Sequence, residues 1–112
     1  MRDAMNATSE TLPEETDEFA HAGLEAAGCE TISCPRIAGA PAALECRMTQ
    51  IHQIEGADNH VVFGEVTGIH LHEACLIDGR FAYETFTPVG RLGYRDYAYV
   101  GETFELARPG ES

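Results

Sequence analysis

Two strand-like runs, Ala43 to Ile54 and His60 to Leu71, flank the turn-forming stretch Gly56-Ala57-Asp58-Asn59. This arrangement predicts an antiparallel hairpin around which the rest of the chain must organise. In the first run Leu44, Cys46 and Met48 alternate with Glu45, Arg47 and Thr49, after which the apolar phase shifts to Ile51 and returns at Ile54. One extra residue produces such a shift, so a bulge is expected between Thr49 and His52. In the second run, strict alternation puts Val62, Gly64, Val66, Gly68, His70 and His72 on one face. Val61, Phe63, Ile69 and Leu71 take the other, interrupted by Glu65 and Thr67. Glycine in a strand interior marks a bulge or a close approach by a ligand or a second backbone. The face with two glycines and two histidines is therefore the expected ligand wall.

A chain of 112 residues is expected to form one domain with a small core. Its 7 Lys plus Arg against 19 Asp plus Glu give a formal net charge of -12. That charge repels phosphate backbones and anionic lipid, which argues against nucleic-acid and membrane-surface partners. No apolar run approaches the roughly 20 residues of a bilayer span, and the N-terminus lacks a basic segment followed by an apolar stretch. The expected location is the cytoplasm. Cys29, Cys34, Cys46 and Cys75 contain no C-x-x-C pair, so reduced, structural thiols are expected rather than a zinc knuckle or a dithiol redox centre.

Ahead of the hairpin, Met1 to Pro13 reads as the tail of a short helix entering a polar loop, because Asn6, Thr8, Ser9, Thr11 and Pro13 oppose helix continuation. Thr16 or Asp17 can cap a helix from Glu18 to Ala27, with Gly28 as its stop and Phe19, Ala20, Gly23, Leu24 and Ala27 as its buried stripe. Thr31 to Ile37, crossed by Pro35, reads as an edge segment. Beyond the hairpin, Asp78 and Gly79 make a turn, and Phe81 to Phe86 suits a short helix or a strand equally. Arg91 to Tyr97 reads as a loop, and Glu102 to Ala107 as a last strand with Phe104 and Leu106 inward.

The spacing Gly64-x5-His70-x-His72 matches the start of the cupin metal motif, in which two histidines on one strand face bind one metal. A cupin needs a glutamate at position 76 or 77, where Leu76 and Ile77 stand, and a later histidine, whereas none follows His72. No metal site is predicted, and a cupin-like metal protein acting through His70 and His72 is the least favoured alternative. No nucleophile elbow, P-loop or G-x-G-x-x-G occurs. From residue types alone, His70 and His72 could be an exposed edge pair, and Arg91, Tyr94, Arg95 and Tyr97 a solvated loop.

Read in order, MNATSETLP, DEFAHAGL, PAALECRMTQI, FGEVTGIHLH, LIDGR, RLGYRDYAYVGETFEL and ARP resemble the C-terminal half of flavin reductase-like, FMN-binding split-barrel proteins over nearly the whole chain. The resemblance implies a mainly β, β-rich α+β fold: part of an antiparallel Greek-key split barrel with one N-terminal helix. Residues 1–41 would supply helix and extended loop, and residues 42–112 the barrel strands. Family members carry a preceding segment of similar size that this chain lacks, so a single, incomplete domain is expected.

The resemblance also implies a homodimer holding FMN near the subunit interface, with NAD(P)H as hydride donor and the flavin ring as acceptor. His70 resembles the family histidine near the flavin or nicotinamide, where an imidazole can hydrogen-bond or protonate the reduced system. Asn6, Thr8 and Ser9 match the MNATS segment, and Arg91, Gly93 and Tyr97 match R-L-G-x-x-x-Y; flavin-side or interface roles are implied for all six. The alternative is a noncatalytic split-barrel remnant that serves as a dimerisation or interaction module.

Overall fold

In the computed structural model, which describes residues 1–111, the chain divides into two units, Met1–Glu73 and the residues from Ala74 onward. The first begins with a short helix, α1 (Arg2–Ala7), which ends where its polar residues turn back on the backbone. The Thr8 and Ser9 hydroxyls each donate to a carbonyl three residues earlier, those of Met5 and Asn6, at 2.6 Å. In α2 (Glu18–Ala22) Asp17 is the cap, its Oδ1 accepting from the N–H groups of Phe19 and Ala20 at 3.0 and 3.4 Å.

The expected helix to Ala27 is corrected. It stops at Gly23, whose φ of +73° lets its own N–H and that of Leu24 close on the carbonyls of Ala20 and Phe19. The left-handed glycine overrides the helix propensity of the alanines beyond it. Ala26–Ala27 instead form β1, paired with β2 (Arg36–Ile37), the ordered remainder of the edge segment expected from Thr31.

The hairpin is present as β3 (Ala42–Gln53) and β4 (His60–Leu71), closed by a turn in which the Ile54 N–H donates to the Asn59 carbonyl at 2.9 Å. Its register shifts twice. Met48 pairs with Gly64 and Gln50 with Phe63, leaving Thr49 as the extra residue where the apolar phase of the sequence placed a bulge. Glu45 pairs with Gly68 but Cys46 with Val66, so Thr67 is extra on β4.

This second bulge corrects the strict alternation expected from Val62 to His72. Paired residues share a face and successive residues do not. Gly68 and His70 therefore stand with Glu45 and Ala43, whereas Val62, Gly64 and Val66 stand on the opposite face with Cys46, Met48 and Ile51. The pairs Leu44–Ile69 and Ala42–Leu71 complete that opposite face. It is almost wholly apolar and it is uncovered, Leu44 and Ile69 being 60% and 64% exposed.

In the second unit β5 (Leu76–Ile77) and β6 (Arg80–Phe81) are joined by the expected Asp78–Gly79 turn, with φ of +53° and +75°, a type I′ geometry. The chain then makes a 3-10 turn over Tyr83–Thr85, so the ambiguous stretch ends one strand and starts a helical turn. Cys75 and Ala82 are buried, joined by a hydrogen bond from the Ala82 N–H to the Cys75 carbonyl at 2.8 Å.

Next, β7 (Val89–Arg91) pairs with β8 (Tyr97–Tyr99) around the loop expected there. Glu102 to Ala107 form no strand, and Phe104 and Leu106 lie exposed rather than inward. A strand needs a paired edge, and among the described residues β7 and β8 pair only with each other. No helix of the described residues is long and apolar enough to cross a membrane.

Candidate functional site

Glu45 is the one buried charged residue among those described, with 1% of its surface exposed, in the middle of β3. A buried carboxylate is costly unless every lone pair finds a donor. The segment after β1 supplies most of them. Oε1 accepts from the Thr31 N–H at 2.7 Å and the Thr31 hydroxyl at 2.6 Å, while Oε2 accepts from the Glu30 N–H at 2.9 Å. The proton of the Thr31 hydroxyl being committed, that oxygen accepts from the hydroxyl of Thr67, the bulge residue, at 2.6 Å. His70 Nε2 completes the set by donating to Oε2.

The Thr31 hydroxyl first, then the Glu30 N–H, His70 and the Thr31 N–H hold the Glu45 carboxyl well below the usual carboxylate range, against the opposing effect of burial. It is ionised at neutral pH. Space for it comes from Gly68, across the ladder, where a Cβ would lie 3.2 Å from the Glu45 carboxyl carbon. The glycine expected to admit a ligand admits this side chain instead. Nearby, burial and then the Glu45 charge push the Cys29 thiol up, which keeps it protonated and unsuited to nucleophilic work. All four cysteines are free thiols.

His70 thus has one ring nitrogen tied to a buried anion while 24% of its side chain stays open. That combination suits an imidazole that exchanges a proton with something bound outside. His72 follows the end of β4, its N–H donating to the Pro41 carbonyl at 2.9 Å. Asn6, Thr8 and Ser9 belong to the same unit as His70 and form the end of α1, where the two hydroxyls and the Asn6 carbonyl serve the helix terminus.

The second unit brings Arg91, Gly93 and Tyr97 together. Arg91 and Tyr97 are cross-strand partners, and Arg91 donates to the Tyr97 hydroxyl and to the Tyr94 carbonyl, both at 2.9 Å. Its guanidinium also lies 5.0 Å from the Tyr97 ring centre. The Gly93 carbonyl accepts from the Asp96 N–H at 3.0 Å. Arg91 therefore fastens the loop at the same time as it presents an exposed cation. Sequence reasoning missed Glu45, whose signal was a carboxylate and a glycine at facing positions of one hairpin.

The chain belongs to the flavin reductase like domain family, whose profile it matches over residues 1–89. The fold is that of the antiparallel split-barrel proteins, on which it superposes. Nitrilotriacetate monooxygenase component B from Bacillus cereus matches with a TM-score of 0.83 at 31% identity, over 92% of this chain and 53% of that one. Flavoredoxin of Desulfovibrio vulgaris (Miyazaki F) matches with a TM-score of 0.68 at 31% identity, over 84% of this chain and 50% of its own. An uncharacterized protein of Halalkalibacterium halodurans is 32% identical over 111 residues, which are 96% of this chain and 53% of that protein. The chain thus spans about half the length of the relatives it matches.

Proposed function

We propose that this chain is part of an FMN-binding, flavin reductase-type oxidoreductase, in which NAD(P)H supplies a hydride and His70 serves the proton side of the exchange. The carrying observation is the half-open imidazole of His70, anchored at one nitrogen by the buried, ionised Glu45. Membership of the flavin reductase like domain family and the likeness to flavoredoxin support flavin as the ligand class.

The residues present fit such a group in their chemistry. In the first unit His70 offers a hydrogen-bonding and proton-bearing edge suited to a flavin or nicotinamide ring; in the second, taken by itself, Arg91 with Tyr97 offers a cation and an aromatic hydroxyl suited to a phosphate or ring edge. Asn6, Thr8, Ser9 and Gly93 would contribute polar and backbone contacts. When bound, the flavin supplies the electron-accepting chemistry, and the protein contributes orientation and the movement of a proton at His70. An NAD(P)H donor implies a cytoplasmic setting.

The 112 residues are taken as belonging to a single split-barrel domain, with a homodimer as the assembly. Its length relative to the matched proteins and the uncovered apolar face of the hairpin support this. That same face also favours a second reading, a noncatalytic module that only dimerises. Mixing the purified protein with FMN separates the two. A yellow protein peak on gel filtration, quenched flavin fluorescence and bleaching on addition of NAD(P)H are expected; unchanged fluorescence with a colourless protein peak would leave the dimerisation module.

A further inference from the structure

Resting on the reading of His70 as the proton-handling residue, we infer that Glu45 is its positioning residue: it fixes the imidazole in the Nε2–H tautomer, so that Nδ1 is the atom that works. The argument begins with what a carboxylate can do. Ionised, it only accepts hydrogen bonds, so the nitrogen facing it must carry a proton. That nitrogen is Nε2, and a neutral His70 then keeps its lone pair on Nδ1.

Among the described residues no hydrogen bond engages Nδ1, and His70 lies at the half-open end of the cluster while Glu45 is sealed within it. When Nδ1 takes up a proton, the positive charge that appears on the ring sits against a fixed negative one. When Nδ1 hands that proton to a bound acceptor, the ring returns to the same tautomer with no rearrangement. Glu45 itself neither gains nor loses a proton in the cycle.

The donors around Glu45 make this orientation one-way. Glu30 N–H, Thr31 N–H and the Thr31 hydroxyl all donate to the carboxylate from one segment, and the two N–H groups cannot accept in its place. In Glu45→Gln the amide oxygen takes the Oε1 place, where the Thr31 N–H and hydroxyl donate and the Glu30 N–H already reaches at 3.2 Å, which leaves the amide NH2 at the Oε2 place toward His70. That group donates, so Nε2 must become the acceptor and the ring proton moves to Nδ1. The isosteric change therefore inverts the tautomer while preserving the shape of the cluster.

The test is two-bond proton–nitrogen NMR of the 15N-labelled chain in mildly alkaline buffer, which reports the tautomer of each histidine without any ligand. The wild-type His70 signal, assigned by its loss in His70→Gln, is expected to be Nε2–H, and Glu45→Gln to convert it to Nδ1–H. A wild-type Nδ1–H tautomer, or a Glu45→Gln protein that keeps Nε2–H, would overturn the inference; the first outcome needs no variant to fold. A second arm measures FMN binding and its reduction by NAD(P)H. Glu45→Gln should bind FMN within about threefold of wild type with KM little changed, yet reduce it about tenfold more slowly or worse. An inverted tautomer with an unaltered rate would remove Glu45 from the mechanism. Failure of the wild-type chain to bind FMN would refute the flavin reading alone, the NMR result still deciding whether Glu45 sets the tautomer.

Discussion

Gly68 stands directly across the hairpin from Glu45, so that a Cβ at position 68 would meet the carboxyl carbon at 3.2 Å and its Oε1 at 3.4 Å. Elsewhere a long side chain could swing aside. Here its end is held by Glu30, Thr31 and His70, so the contact has nowhere to relax. Gly68→Ala is therefore expected to lose about 1–3 kcal/mol of stability in a urea titration, as overpacked sites do, despite alanine's lower backbone entropy cost. Gly101→Ala, with nothing within 4 Å of its Cβ, is the neutral comparison.

Acid should destabilise the first unit through Glu45. Its carboxyl is held below the ordinary value of 4.5 in the folded chain, so the unfolded chain binds the proton first. The associated stability is complete above that ordinary value and is lost progressively as pH falls through it toward the lower folded value. Thermal melts at pH steps across this window should show a steep acid limb in wild type and a shallower one in Glu45→Gln.

A charge on the uncovered face of the hairpin should weaken self-association without touching the site. Ile69 lies opposite Leu44 and is largely exposed in the single chain. Burying such a side chain is worth about 1.5–3 kcal/mol, so Ile69→Glu should weaken a dimer about tenfold or more by sedimentation velocity. Equal sedimentation of both proteins over a wide concentration range would count against a dimer through this face.

Arg91 should resist replacement even by lysine. A guanidinium can reach the Tyr97 hydroxyl and the Tyr94 carbonyl at once, whereas an ammonium lacks the fork. Hydrogen exchange at residues 92–96 should quicken in Arg91→Lys, and less so in Tyr97→Phe, which removes one exposed hydrogen bond worth about 0.5 kcal/mol. If Arg91 also meets FMN, its dissociation constant should rise about tenfold in Arg91→Ala and less in Tyr97→Phe.

The hairpin, its turn and the Thr49 bulge were legible because the apolar phase of Leu44, Cys46 and Met48 visibly changes before Ile51. The same signal existed on the partner strand, where Val62 and Val66 give way to Ile69 and Leu71. There Val61 and Phe63, apolar in the opposite phase, masked it. The helix end was misplaced because Gly23 and Gly28 are equivalent letters, and only the left-handed turn at Gly23 distinguishes them. His70 could be singled out as a histidine beside glycines. Glu45 could not, since a charged residue in an alternating strand reads as solvent-facing, and its donors come from an irregular segment about fifteen residues away with no periodicity to announce it.

Thr67 gives the hairpin its parity. Whether Thr67 stands outside the pairing between Val66 and Gly68 or joins it decides whether the histidine and the glycine belong with the carboxylate or with the greasy side. Were Thr67 to take a regular place in the ladder opposite Glu45, the composition of the strand would be unchanged and yet His70 would turn through to the far surface, carrying Ile69 and Leu71 toward the charge. The chemistry of this strand is therefore encoded less by which residues it contains than by which one is left out of the pairing.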